Sequence, residues 1–132
     1  MRFVDSNFFL YVLIKSPSRD YETSRRILRR IEDGEEALTS LAVLQEVVDW
    51  LEYNRRKREV GVFLAAVYSY VKMKKVSNNW KDFLRASPDA EKYGMDFVDA
   101  LTLHVMKRQG VDEIYSNDKD FDRVEWARRV FQ

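Results

Sequence analysis

The sequence predicts an α/β fold in which a mostly parallel sheet carries helices on both faces. Two observations lead to this prediction. Short apolar runs alternate with longer segments of helical periodicity, in the order strand, helix, strand, several helices, strand, strand. Only four glycines and two prolines interrupt the 132 residues, so long helices should dominate. The length fits one domain over residues 1–132, and 45% hydrophobic residues suffice for its core.

The first half of the chain contains two predicted strands and three predicted helices. Strands are expected at residues 1–4 and 37–40, and helices at residues 8–14, 21–33 and 41–53. The second helix should stop at Gly34. In the third helix, the spacing predicts a core stripe of Leu41, Leu44, Val48 and Leu51.

The second half is predicted to be mostly helical before it ends in two strands. Apolar residues recur every three or four positions in residues 59–74, and residues 78–92 form a more polar helix. Residues 96–109 are apolar nearly all round, which indicates a buried helix that ends at Gly110. Residues 113–116 and 128–131 should be the last strands.

Composition limits the chemistry available to this chain. Lys and Arg number 23 against 22 Asp and Glu, so the net charge of +1 creates no global attraction to polyanions. The absence of cysteine and the single histidine, His104, exclude thiol nucleophiles and Cys/His zinc sites. A hydrogen-bonded core position is the expected role of His104. The chemistry must therefore depend on carboxylates.

The apolar run at residues 8–14 is the only candidate for a targeting or membrane segment. It is far shorter than the ~20 residues of a spanning helix, and no small-residue cleavage site follows it. We therefore expect a cytoplasmic protein with no membrane partner.

Several carboxylates occupy positions where α/β sheets bind ligands. Asp5 follows the first predicted strand and Asp118 follows the third, and ligands bind beyond the carboxyl ends of such strands. Asp99 lies inside the apolar helix, where an unpaired carboxylate is costly, and Asp96 lies one turn earlier. Each also has an ordinary explanation. Asp5 can serve as a helix cap, and Asp96 and Asp99 can favour the helix dipole.

Two further acidic positions are ambiguous when taken alone. Glu46 lies at the border between the apolar and polar faces of its helix, where it could simply extend to water. The segment Ser116-Asn117-Asp118-Lys119-Asp120-Phe121-Asp122 alternates aspartates like a calcium loop, but Arg123 stands where that loop requires glycine. A solvated acidic turn is the other interpretation.

The ordered set of these motifs resembles the PIN domain family, especially its VapC-type toxin ribonucleases. The resemblance covers nearly the whole chain and is carried by VDSN at the amino terminus, DFVDAL at the start of the buried helix, and SNDKDFD after a strand. It implies an α/β/α sandwich around a sheet of four or five strands, with acidic residues that bind Mg²⁺ or Mn²⁺. It also implies RNA cleavage, a small antitoxin partner and a homodimer.

By position, the resemblance assigns roles to individual residues. The acidic quartet that would be both catalytic and metal-binding is Asp5, Glu46, Asp99 and Asp118. Asp96 matches a further acidic metal position. Supporting roles fall to Asn7, Ser116, Asp120 and Asp122.

The predicted reaction is hydrolysis of RNA that leaves a 5′-phosphate and a 3′-hydroxyl, without a covalent enzyme intermediate. Crowded carboxylates raise one another's pKa, and a divalent cation relieves this repulsion; one or two ions would serve. Cations must also offset repulsion between the site and RNA. The candidates are Arg55, Arg56, Lys57 and Arg58, then Arg25, Arg26, Arg29 and Arg30, and last Lys72, Lys74 and Lys75.

Two alternatives remain at the level of sequence. The chain could be a catalytically silent PIN-like module that acts through protein or RNA contacts. It could also be a receiver domain, although its second strand ends in Thr39-Ser40, where a receiver domain needs a phosphoacceptor aspartate.

Overall fold

The computed structural model describes all residues, 1–132, and contains a five-stranded sheet with six α-helices. In chain order the elements are β1 (Arg2–Val4), α1 (Ser6–Ile14), α2 (Ser18–Glu32), β2 (Ala37–Ser40), α3 (Leu41–Tyr53), α4 (Val60–Ser69), β3 (Met73–Val76), α5 (Trp80–Tyr93), α6 (Phe97–Arg108), β4 (Glu113–Tyr115) and β5 (Arg128–Val130). Short 3-10 helices lie at Lys57–Glu59 and Lys119–Arg123.

All strand pairs are parallel, and the strand order is β3-β2-β1-β4-β5. Every residue of β2 is buried, although alternate residues point to opposite faces. Both faces of the sheet must therefore be covered by helices, as predicted. β1 lies at the centre, where Phe3 and Val4 are fully buried in a core of 30 apolar residues.

The prediction of one helix over residues 59–74 is wrong at its end. Helix α4 stops at Ser69, and Met73–Val76 pairs with β2 as an edge strand. Met73 and Val76 are buried, whereas Lys74 is exposed, so this strand lacks the simple alternation expected of a half-buried strand. Lysines of this kind protect an exposed sheet edge from pairing with other chains.

The predicted core stripe of α3 is partly wrong. Leu44 and Leu51 are buried as expected, but Leu41 is 52% exposed and Val48 is only partly buried. Val43 and Val47 take their places in the core. Leu41 is the first residue after the Ser40 cap, so it lies just beyond the carboxyl end of β2.

Residues 78–92 fold close to the prediction. Helix α5 begins with a capping box in which the side chains of Asn79 and Asp82 each accept a hydrogen bond from the other's backbone N–H. It ends at Gly94, whose φ of 60° suits glycine. The side chain of Asp82 also binds Arg108 at the end of α6, which fixes α5 against α6.

Replacement of Phe121 by alanine should destabilise the fold strongly. Phe121 is fully buried in the 3-10 helix after β4, and loss of such a side chain costs about 3–5 kcal/mol of unfolding free energy. Tyr68→Ala is the control, because Tyr68 is 86% exposed and its loss should change stability by under ~0.5 kcal/mol. Urea denaturation measures both. Equal effects of the two substitutions would contradict this packing.

Candidate active site

The candidate site, a group of carboxylates, lies at the point in the sheet where the order of the strands along the chain changes direction. The chain proceeds from β1 outwards through β2 to β3, and then crosses to β4 on the other side of β1. Such a switch point opens a crevice at the carboxyl ends of the central strands. Val4 pairs with Tyr115, so Asp5 and the loop after β4 emerge side by side.

Asp5 is both a helix cap and a member of the acidic site. One carboxylate oxygen accepts a hydrogen bond of 2.8 Å from the backbone N–H of Ser6, which caps α1. The other accepts a bond of 2.7 Å from the hydroxyl of Ser116. Burial, with smaller contributions from the charges of Glu46 and Asp118, raises the pKa of Asp5 to about 6 despite these hydrogen bonds.

The hydroxyl of Ser116 joins the ends of β1 and β4. It donates to Asp5 and accepts hydrogen bonds from the Asn7 side-chain amide at 3.3 Å and from the backbone N–H of Asp118 at 3.0 Å. The backbone N–H of Asn117 donates to Asn7 Oδ1 at 3.4 Å. Asn7 and Ser116, assigned supporting positions from sequence, thus hold the two loops together.

Helix α6 delivers Asp96 and Asp99 to the same crevice. Asp96 is the N-cap residue of α6, but its side chain makes no capping hydrogen bond. Its carboxylate is therefore not occupied by the first turn of the helix. Asp99 lies in the first turn, is buried and forms no ion pair with any Lys or Arg. Burial, followed by the charges of Asp5, Asp118, Glu46 and Asp96, raises the pKa of Asp99 to about 8.

Glu46 is only partly buried, as its border position on α3 suggests. Its charge nevertheless raises the pKa of both Asp5 and Asp99, so it lies near both carboxylates. The structure therefore brings together all five acidic residues assigned to the site from sequence, from four separate segments of the chain.

Asp120 belongs to the cluster more closely than its supporting assignment suggested. Oxygens of Asp99, Asp118 and Asp120 lie within 4.8 Å of one another. Arg123 holds Asp120 at 3.1 Å and also donates to the backbone carbonyls of Tyr93 and Gly94 at 3.1 and 2.8 Å. Arg123 therefore links the loop after β4 to the turn before α6.

Asp122 does not reach the cluster, although it stands in the same acidic run. Its carboxylate binds the guanidinium of Arg129 through contacts of 3.0 and 3.1 Å, and the Arg129 hydrogen bonds lower its pKa. His104 also lies apart, with Nε2 2.9 Å from a carboxylate oxygen of Asp89. Neither side chain can contribute to the crevice.

The basic cluster at residues 55–58 lies beyond the end of α3, whose last residue, Tyr53, is about 10 Å along the helix axis from Glu46. Arg56 is held in an ion pair with Glu59, which leaves Arg55, Lys57 and Arg58 exposed to solvent. This cluster is therefore not part of the wall of the crevice.

The donor set consists of carboxylate oxygens without imidazole or thiolate. Such a set suits hard divalent cations such as Mg²⁺ and Mn²⁺. Buried carboxylates that raise one another's pKa lose this repulsion when a cation lies between them. The residues present therefore fit a divalent metal.

A doubly wound parallel sheet with carboxylates at its switch point defines an α/β protein with an acidic, oxygen-only site. The sequence profile described as "PIN domain" matches residues 2–127. The chain belongs to the PIN domain family. No curated protein sequence matches it.

Solved structures of toxin proteins share this fold. VapC20 of Mycobacterium tuberculosis, described as a sarcin-ricin loop cleaving toxin, has 21% identity and a TM-score of 0.80, with 95% of each chain covered. VapBC2 of Rickettsia felis, bound to a DNA fragment from its promoter, has 15% identity and a TM-score of 0.73. A toxin-antitoxin complex from Klebsiella pneumoniae has 14% identity and a TM-score of 0.66. The alignments with these two cover 98% of this chain and 96% of each solved chain. At these identities the likeness establishes the fold.

No helix is both long and apolar enough to cross a membrane.

Without metal, the protein should lose stability as pH rises from about 4 to about 8. Asp5 and Asp99 have pKa values of about 6 and about 8 in the folded protein, against 3.8 in the unfolded chain. The folded state therefore binds more protons across this window, and its free energy of unfolding falls as they leave, on the order of a few kcal/mol.

Asp99→Asn should make this loss smaller, because the variant has no carboxylate to ionise at that position. Urea denaturation of both proteins in chelator, at pH values from 5 to 8, measures the difference. Parallel pH profiles for wild type and variant would contradict the placement of Asp99 among the other carboxylates.

Proposed function

We propose that this protein is a Mg²⁺- or Mn²⁺-dependent ribonuclease and the toxin of a toxin-antitoxin pair. The observation that carries the proposal is the convergence of Asp5, Glu46, Asp99 and Asp118 at the switch point of the sheet. The likeness to VapC20, a sarcin-ricin loop cleaving toxin, supports RNA as the substrate class. The function would reside in a single domain and act in the cytoplasm, where RNA is available.

The carboxylates of Asp99, Asp118 and Asp120 would hold the cation, together with Asp5, Glu46 and Asp96 around them. When bound, a divalent cation supplies Lewis-acid polarisation and neutralises the charge that develops on a phosphodiester during hydrolysis. Ser116 keeps one oxygen of Asp5 fixed through its hydrogen bond. Arg123 keeps Asp120 within reach of Asp99.

We propose that water, and not a side chain, attacks the phosphorus. The hydroxyl of Ser116 contacts the cluster, but it is fully buried and donates a hydrogen bond to Asp5. The chain has no cysteine, and His104 lies outside the crevice. Water then becomes part of the 5′-phosphate product, and the other fragment leaves with a 3′-hydroxyl.

Cleavage of RNA should require a divalent metal and the carboxylate of Asp99. Asp99→Asn keeps the shape of the side chain but removes its charge, and we expect activity to fall by about 100-fold or more. Chelator should abolish activity in the wild type, and Mg²⁺ or Mn²⁺ should restore it. Gel assays with labelled RNA measure the rate of cleavage.

Asp49→Asn is the matched control for this substitution. Asp49 is an exposed carboxylate on α3 that bonds only the side chain of Gln45, so the control should retain wild-type activity. A wild-type protein that cleaves no RNA with either metal would favour the silent binding module. Full activity in Asp99→Asn would reject the role of Asp99.

An antitoxin partner would cover the apolar groove between α1, α2 and α4. Ten side chains line this groove and all are hydrophobic, among them the 70% exposed Val62. Two of the similar structures contain a toxin together with its antitoxin. An apolar helix face of a small partner protein would match the groove.

A homodimer would bury a second apolar surface, formed by Trp80, Phe83, Leu84 and Phe97. The rings of Trp80 and Phe83 are stacked at 6.3 Å, Phe83 meets Phe97 at 5.4 Å, and all four side chains are 39% to 71% exposed. Leu84 lies one helical turn from Trp80 on the same face of α5. Exposed apolar patches of this kind are typical of protein interfaces.

Leu84→Lys should weaken this dimer at least roughly tenfold, because it places a charge at the centre of the apolar surface. Val71→Lys is the control, because Val71 is 86% exposed and lies before β3. Sedimentation equilibrium gives the dissociation constants. A wild type that stays monomeric, or a Leu84→Lys protein that dimerises like the control, would contradict the assignment.

A further inference from the structure

A polar cleft of about 620 Å³ adjoins the loop that carries Asp118. Asn117 and Lys119, the residues on either side of Asp118, form part of its wall. Phe131 and Gln132, which follow β5, and the first two turns of α2 form the rest of its wall. The cleft therefore opens at the same carboxyl edge of the sheet as the carboxylate cluster.

The cleft contains three cations that the protein does not neutralise. Arg19, Arg26 and Lys119 form no ion pair, whereas Arg2, Arg56, Arg108, Arg123, Arg128 and Arg129 all bind carboxylates. Arg26 makes only a 3.4 Å hydrogen bond to the hydroxyl of Thr23. Asp20 and Glu22 also line the cleft, so cationic side chains outnumber acidic side chains by one.

The cationic lining continues along α2. Arg26 and Glu22 are shared with a smaller recess of about 150 Å³, whose other lining residues are Arg25 and Arg29. Because Arg19 and Arg26 are two helical turns apart, they lie on one face of α2. Arginine side chains therefore line both recesses along this helix.

Phosphate is the ligand chemistry that fits these observations. Arginines with free guanidinium forks recognise phosphate oxygens, and backbone contacts of this kind fix the position of a nucleic acid strand. A volume of 620 Å³ lies in the range of small-ligand pockets, so it has room for a nucleotide unit. The ring of Phe131 lies in the same wall, where a base could stack.

We propose that this cleft binds the phosphate backbone of the RNA strand on one side of the scissile bond, through Arg19, Arg26 and Lys119. The inference rests on the proposed ribonuclease function and assigns its substrate-binding surface to the N-terminal half of α2. It favours α2 over residues 55–58, which lie beyond the far end of α3.

The test measures RNA binding separately from cleavage. In the Asp99→Asn background the RNA should stay intact, and fluorescence anisotropy with a labelled mixed-sequence single-stranded RNA gives the affinity at several salt concentrations and constant Mg²⁺. Arg19→Gln/Arg26→Gln should weaken binding about tenfold and reduce the slope of log K against log salt by about 1.4, or 0.7 per lost phosphate contact. These arginines are not adjacent in sequence to any carboxylate of the cluster, so Mn²⁺ affinity should not change.

Lys81→Gln/Lys107→Gln is the matched control for charge. Lys81 lies in the first turn of α5 and Lys107 in the last turn of α6; both are exposed and neither lines the cleft. Equal losses in the two double variants, or an unchanged slope in the α2 variant, would overturn the proposal. An α2 variant that keeps RNA binding but loses affinity for an acidic peptide would also overturn it, in favour of a protein partner.

The proposal and the function it rests on fail in different ways. If the wild type cleaves RNA and the α2 variant binds it normally, the ribonuclease stands and only the cleft assignment falls. If the wild type cleaves no RNA with either metal, the ribonuclease fails whatever the binding data give.

Discussion

The mutual repulsion of carboxylates at one edge of the sheet is the constraint on which the site depends. A parallel sheet with a switch point beside β1 necessarily places the residues after β1 and β4 next to each other. Here those residues include Asp5 and Asp118, and α6 adds Asp99 from the side. Without a counterion, only protons relieve this repulsion; burial, followed by the neighbouring negative charges, raises the pKa of Asp99 to about 8.

The contacts around the cluster hold this unfavourable arrangement in place. Ser116 joins the two loops, Arg123 joins the loop after β4 to the turn before α6, and Asp82 with Arg108 fixes α6 against α5. None of these contacts neutralises Asp99 itself. These hydrogen bonds and ion pairs therefore fix the positions of the loops and helices, and the carboxylate of Asp99 remains free to bind a ligand.

The fold class could be predicted from the sequence because it depends on local pattern, whereas the full set of acidic site residues was proposed only through the resemblance to the PIN domain family. An aspartate directly after an apolar run can be recognised in the sequence, and the carboxyl ends of parallel strands lie at the same edge of the sheet whatever the exact register. Strand β3 was missed because Lys74 and Lys75 interrupt the alternation of apolar and polar residues that predicts a strand, and the apolar run before it continues through Tyr70 and Val71. An edge strand with few buried residues shows this alternation only weakly.

The remaining features depend on contacts between distant segments. Asp120 lies next to Asp118 because the Asp118 carboxylate accepts a hydrogen bond from the Asp120 backbone N–H, but the contact of Arg123 with the carbonyls of Tyr93 and Gly94, which links this loop to α6, has no local pattern. The cleft likewise combines Arg19 with Lys119, which are 100 positions apart in the sequence. Such sets can be recognised only once the sheet order is known.

The most direct test of the central claim is the position of a divalent ion in crystals of the protein grown with Mn²⁺. The account predicts an anomalous scattering peak between Asp99, Asp118 and Asp120, at about 2.0 to 2.3 Å from carboxylate oxygens. Crystals saturated with Mn²⁺ that have no peak in this crevice, or have their only strong peak elsewhere, would contradict it.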